Sequence, residues 1–268
     1  MNYGISTSCF FPLETERALK LLGEKETETV EIFFNTSSEF RGPFSNEIRT
    51  IVRTCDMKVA AVHPHTSACE PYEFFTPYKR RFDDALDGYR RLAEFCLKLG
   101  ENIIIPFHGD LLSRSSIISD EEYFERFCIV SEALRNEGAI LAQENVNLYR
   151  ASKVDFIKRL KAALPHTVFV YDIKQVVRAG ENIYDMLDAM GGNLGHLHLS
   201  DNGPQGDCLL PFSGNFDFTR FFGKLEACNY AKAVILEVYS SAYRKYDELF
   251  HSFNEFIKSR QNSTKFSE

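Results

Sequence analysis

A single (β/α)8 barrel of the α/β class, the TIM-barrel fold, is predicted by three features of the sequence. Eight short β-like runs alternate with eight stretches of helical period. The runs are near-continuous in Val, Ile, Leu, Ala and Phe rather than alternating, as expected for strands covered on both faces. The 268 residues match the usual barrel length of about 250. An open doubly wound sheet, the alternative, normally carries a glycine-rich turn after its first strand, and YGISTSCFFPLE has none.

The first run, YGISTSCF (3–10), is followed by a helical stretch at 14–23, and TVEIFFN (29–35) by one at 45–55. After KVAAVHPHT (58–66) comes the clearest amphipathic segment, 77–99, where Tyr78, Phe82, Leu86, Tyr89, Leu92, Phe95, Cys96 and Leu99 form one stripe. NIIIPFHG (102–109) leads to a helix beginning at Ser119, with Glu121 and Glu122 in its first turn, where acids complement the helix dipole. GAILAQENV (138–146) precedes a helix at 152–163, TVFVYDIKQ (167–175) one at 182–190, LGHLHLSD (194–201) one at 217–226, and AVILEVYS (233–240) one at 242–258. The barrel is expected to occupy 1–260, with 261–268 a polar, frayed tail.

Composition narrows the function. A net charge of −7 and a pI near 5.6 speak against a broad nucleic-acid-binding face, because such affinity rests on Lys and Arg neutralising phosphates. Seven scattered cysteines with no CxxC pair indicate free thiols in a reducing compartment. The N-terminal segment carries acids early and no basic start, and no apolar run approaches the ~18 residues of a membrane span. A cytoplasmic protein without membrane or nucleic-acid partners is expected.

Four polar residues each close an apolar run: Glu144 ends GAILAQE, Asp172 ends TVFVYD, His198 ends LGHLH and Glu237 ends AVILE. A charged group at the end of a buried strand costs several kcal/mol unless compensated. In a barrel these ends gather at one face. Three acids and one imidazole form a hard, oxygen-rich set suited to a divalent cation, Mn²⁺ first, with Mg²⁺, Co²⁺ or Zn²⁺ as alternatives. The competing reading is that each acid caps the next helix or pairs with a nearby base.

His63, His65 and His108 add imidazoles to the other half of the rim, each a ligand, a substrate donor or a core histidine. His196 lies two residues before His198 on the same side and lower, where it could orient it. Lys174 and Gln175 follow Asp172; the lysine could hold a substrate anion, act as an acid near an enolate or form a salt bridge. Asp201 is a loop-cap or functional acid, and Arg150 and Arg178 read as surface residues before anion holders.

In VHPHTS, FHGD, QENVN, YDIKQVVRAG, HLHLSDNG and ILEVY the chain resembles the xylose-isomerase-like barrel superfamily of sugar isomerases and epimerases, inosose dehydratases and endonuclease IV. The resemblance spans nearly the whole chain. It implies a divalent metal on Glu144, Asp172, His198 and Glu237, with Glu144 and Glu237 also the acid/base pair, and His65, His108, Lys174 and Gln175 near the substrate. Proton abstraction through a metal-stabilised enediolate of a small sugar, keto-sugar or sugar phosphate is the implied chemistry. A lyase of an inosose-like ring and a catalytically silent sugar-binding protein are the alternatives, and a homodimer is open. Two departures stand out: Gln175 replaces the histidine of the family's Asp-x-x-His, and Asp207-Cys208-Leu209 lacks the Asp-x-His that gives endonuclease IV ligands for its third zinc. The second disfavours an endonuclease.

Overall fold

The computed structural model describes residues 1–113 and 118–265. Its strands are β1 (Asn2–Ser6), β2 (Thr29–Phe33), β3 (Lys58–His63), β4 (Ile103–Phe107), β5 (Ala139–Glu144), β6 (Val168–Asp172), β7 (Leu194–Leu199), β8 (Asp201–Gly203), β9 (Gly206–Leu209) and β10 (Ala233–Leu236). Eight close a parallel barrel in the order β1-β10-β7-β6-β5-β4-β3-β2, and β8 and β9 form a separate antiparallel hairpin. The predicted (β/α)8 architecture is therefore the observed one.

Outer helices cover the barrel at Thr15–Glu24, Gly42–Thr54, Lys79–Leu97, Asp120–Asn136, Val154–Ala163, Ile183–Met190, Phe218–Ala227 and Tyr246–Lys265. Ser119 caps the fourth, its hydroxyl accepting from the Glu122 amide at 3.2 Å, which satisfies one of the donors that a helix start leaves free. The main core lies between strands and helices. Phe74, Phe75, Phe107, Phe127 and Phe156 are all buried there, with Tyr89 and Tyr123 among them. A smaller apolar cluster, Ala61, Ile104, Ala142 and Val170, comes from β3 to β6. Register aligns Glu31 with Ala61 across β2 and β3, and His196 with Val170 across β6 and β7. Residues in parallel register face the same side, so this acid and this imidazole line the same side of the sheet as that cluster.

Strands end earlier than the apolar runs suggest: β3 stops at His63 and β6 at Asp172, where the chain turns into the short helix Ile173–Arg178. The hairpin between β7 and β10 was not foreshadowed by the run 194–201. The last helix runs on to Lys265, past residue 260, and Leu249, Phe250, Phe253 and Phe256 anchor it in the core. Among the described residues no helix is long and apolar enough to cross a membrane.

Candidate active site

Glu144 is the last residue of β5, Asp172 the last of β6, His198 the penultimate residue of β7, and Glu237 directly follows β10. These strands are consecutive around the barrel, so the four side chains meet at one end. His198 Nδ1 lies 3.3 Å from Glu144 Oε1, 3.4 Å from Glu237 Oε2 and 3.6 Å from Asp172 Oδ2. Asparagine fixes two of the strands: Asn145 Nδ2 donates to the Asp172 carbonyl at 3.0 Å and its Oδ1 accepts from the Asp172 amide at 2.8 Å.

Asp172 divides its work. Oδ1 accepts from the Gln175 amide at 3.0 Å and caps Ile173–Arg178, so the capping alternative is realised, while Oδ2 turns to the cluster. Asp172 Oδ2, Glu144 Oε2 and His198 Nδ1 are buried without a hydrogen bond among the described residues. Ligand atoms about 2.1 Å from one cation sit roughly 3.0 Å apart at an octahedral corner, close to the spacings above. Glu144, Asp172 and His198 thus fit a divalent ion, with Glu237 in reach of the same imidazole nitrogen.

Lys174 is buried and pairs with Glu237 Oε2 at 2.9 Å and Asp172 Oδ2 at 3.2 Å, its ammonium 5.1 Å from the Tyr239 ring. Glu31, the residue that inspection of the sequence passes over, sits beneath the cluster. Its Oε2 is 2.9 Å from Nε2 of both His196 and His198, and Ser6 Oγ donates to its Oε1 at 2.9 Å. Four carboxylates therefore crowd one buried volume beside a single lysine. Burial would raise the Glu144 carboxyl, yet His108, His198 and His63 around it hold it well below the usual range. Burial would likewise lower His198, but Glu31 and the carboxylates of the cluster hold it well above the ordinary histidine value.

The sequence profile of the xylose isomerase-like TIM barrel family matches residues 19–257. The chain belongs to that family. Among solved structures with the family's barrel, it is similar to 3-keto-D-glucoside 4-epimerase YcjR from E. coli, with TM-score 0.76 and 18% identity, over 96% of this chain and 99% of that one. A D-tagatose 3-epimerase-like protein gives TM-score 0.80 at 15% identity, covering 100% and 99%. D-Allulose 3-epimerase from Methylomonas sp., in complex with D-allulose, gives 0.78 at 15%, covering 97% of each chain. At such identities the likeness establishes the fold. Comparison with curated protein sequences gave no match.

Beyond the four ends, this family member places the rim residues unevenly. His108 Nε2 is 3.4 Å from Glu144 Oε2, and His63 Nε2 is 3.6 Å from the same oxygen, the two rings touching at 3.2 Å. His65 goes elsewhere: β3 ends at His63, Pro64 turns the chain, and His65 lines a side cavity of about 480 Å³ with Phe40, Arg41 and Tyr72. Gln175 is half-buried and its Oε1 accepts from the Asn147 amide at 3.1 Å, bracing the loop after β5. Arg178 grips Asp207 of β9 through two nitrogens, at 2.7 and 2.9 Å, and donates to the Tyr239 hydroxyl. Arg150 packs over Tyr123 and Phe156 and pairs with Asp120, well inside the surface expected of it. Asp201 is a loop cap, accepting from the amides of Asn202, Gly214 and Phe216.

Glu70, fully buried, accepts from the amides of His108 and Gly109 at 2.7 Å each and from the Tyr89 hydroxyl. Glu70→Ala leaves those donors unpartnered in the interior and is expected to cost about 3 kcal/mol, measured by denaturant unfolding.

Proposed function

We propose that this protein is a divalent-metal-dependent epimerase or isomerase of a small sugar, keto-sugar or sugar phosphate, working by proton transfer beside a carbonyl. The observation that carries the reading is the placement of two carboxylates, Glu144 and Glu237, on either side of His198 and Asp172 in barrel order, with all three carboxylates around one imidazole nitrogen. The solved neighbours named as D-tagatose-like and D-allulose 3-epimerases and a 3-keto-D-glucoside 4-epimerase support a ketose as substrate.

Glu144, Asp172, His198 and Glu237 would hold the metal, with Mn²⁺ the first candidate. A bound divalent cation would polarise the substrate carbonyl and its neighbouring hydroxyl and so acidify the hydrogen on the carbon between them. Glu144, kept ionised by three imidazoles, takes that proton. Glu237, three strands round the barrel from Glu144, would deliver to the other face a proton taken up from solvent, which inverts the centre, and Glu144 then releases the proton it took. Lys174 holds Glu237 and Asp172 in place and supplies positive charge beside the enediolate. His108, partly open where Glu144 is 2% exposed, offers a hydrogen bond to a substrate hydroxyl.

The test is hydrogen exchange in D₂O with Mn²⁺ or Co²⁺ over a panel of ketoses, keto-glycosides and ketose phosphates. Deuterium should enter at the carbon next to the carbonyl and the epimer should accumulate. Formation of an absorbing enone would instead identify a lyase, and ligand binding without exchange across the panel would identify a silent sugar-binding protein.

A further inference from the structure

We infer that Glu31 is a positioning residue that fixes which nitrogen of His198 faces the carboxylates. The inference rests on the metal-dependent reading above and deepens it. Glu31 is fully buried on β2, three places from β7 in barrel order, and reaches His198 from the opposite side of its ring to the acid cluster. An ionised carboxylate is acceptor-only. The 2.9 Å contacts from Oε2 to the two Nε2 atoms are of hydrogen-bond length, so both imidazoles donate to it and neither Nε2 is available as a ligand. His198 therefore turns Nδ1 toward Glu144, Asp172 and Glu237, where it has no hydrogen bond among the described residues.

Two contacts besides that of His198 hold Glu31 in that pose. Ser6 Oγ donates to its other oxygen at 2.9 Å and is itself bonded by the Ser8 hydroxyl at 2.9 Å. His196, on the same face of β7 one pleat below, donates to the same Oε2 as His198 and stops the carboxylate from rotating. His196 thus acts on His198 through Glu31. This arrangement also explains why Glu31, His196 and His198, though close enough to bind an ion, are here a hydrogen-bonded set. A carboxylate on the far nitrogen of a metal-binding imidazole sets its orientation and basicity, and loss of such a partner typically costs about 10–100-fold in metal affinity.

The test combines Mn²⁺ calorimetry with ¹H–¹⁵N correlation of the His198 ring in the Cd²⁺-loaded chain. In the wild type the ring proton is expected on Nε2 and the metal on Nδ1. Glu31→Gln, which keeps a carbonyl oxygen for the imidazoles but removes the negative charge that makes it a strong acceptor, is expected to lower Mn²⁺ affinity about 10–100-fold while circular dichroism stays native. Metal bound through Nε2 in the wild type, or unchanged affinity in a folded E31Q, would overturn the proposal alone. Should E31Q fail to fold, the wild-type ring spectrum decides. Binding of neither ion by the wild type would overturn the functional reading and this proposal with it.

Discussion

Glu144→Gln is expected to reduce hydrogen exchange and epimer formation about 10³-fold, within the 10²–10⁴ range that a positioned acid or base contributes. The substitution preserves shape and removes only the ionisable oxygen. Glu144 is surrounded by His198 at 3.3 Å, His108 at 3.4 Å and His63 at 3.6 Å, and an amide there neither accepts a proton nor balances those imidazoles. The same change subtracts a negative donor from the cluster, so Mn²⁺ affinity should fall as well. Single-turnover exchange at saturating Mn²⁺ separates the two effects: a deficit that persists there belongs to proton transfer, and one that disappears belongs to metal binding. Full activity in E144Q would remove the base from the scheme.

Mn²⁺ at about 1,000 times its dissociation constant is expected to stabilise the fold by roughly 4 kcal/mol, the mass-action value for a ligand that binds only the native state. For a domain of this size that corresponds to a rise in Tm of about 10 °C. The physical source is electrostatic: Glu31, Glu144, Asp172 and Glu237 share a buried volume with His198 and Lys174, and within it Asp172 Oδ2, Glu144 Oε2 and His198 Nδ1 make no hydrogen bond among the described residues. A chelator should return Tm to the metal-free value, and Asp172→Asn should abolish the ion's effect while keeping the helix-capping oxygen. A melting curve indifferent to Mn²⁺ and Co²⁺ would mean that Lys174 and His198 already balance the cluster.

The strand ends were legible because a polar residue closing an apolar run is a strong local signal, and Glu144, Asp172, His198 and Glu237 each show it. Ser119 was legible for a similar reason, as a hydroxyl ahead of three acids opening a helix. Glu31 was not. It sits in mid-run in TVEIF, where local pattern cannot tell a lumen-facing acid from a solvent-facing one, and its partners are 165 and 167 residues away. The His63 and His65 pair misleads for another reason. Their spacing of two implies a shared face only while the strand continues, and Pro64 ends it, sending His65 to a side cavity while His63 stays beside Glu144. The hairpin of β8 and β9 carries turn residues in NGPQG, but its strands are too short for any run to announce them.

Glu70 holds the chain after β4 through the main-chain amides of His108 and Gly109. The mouth of the barrel therefore contains a socket whose location is decided independently of the plug. Under the proposed reaction, position 108 is where a designer should begin randomising to change substrate preference, because the backbone stays gripped while the side chain that meets Glu144, His63 and Tyr149 is exchanged.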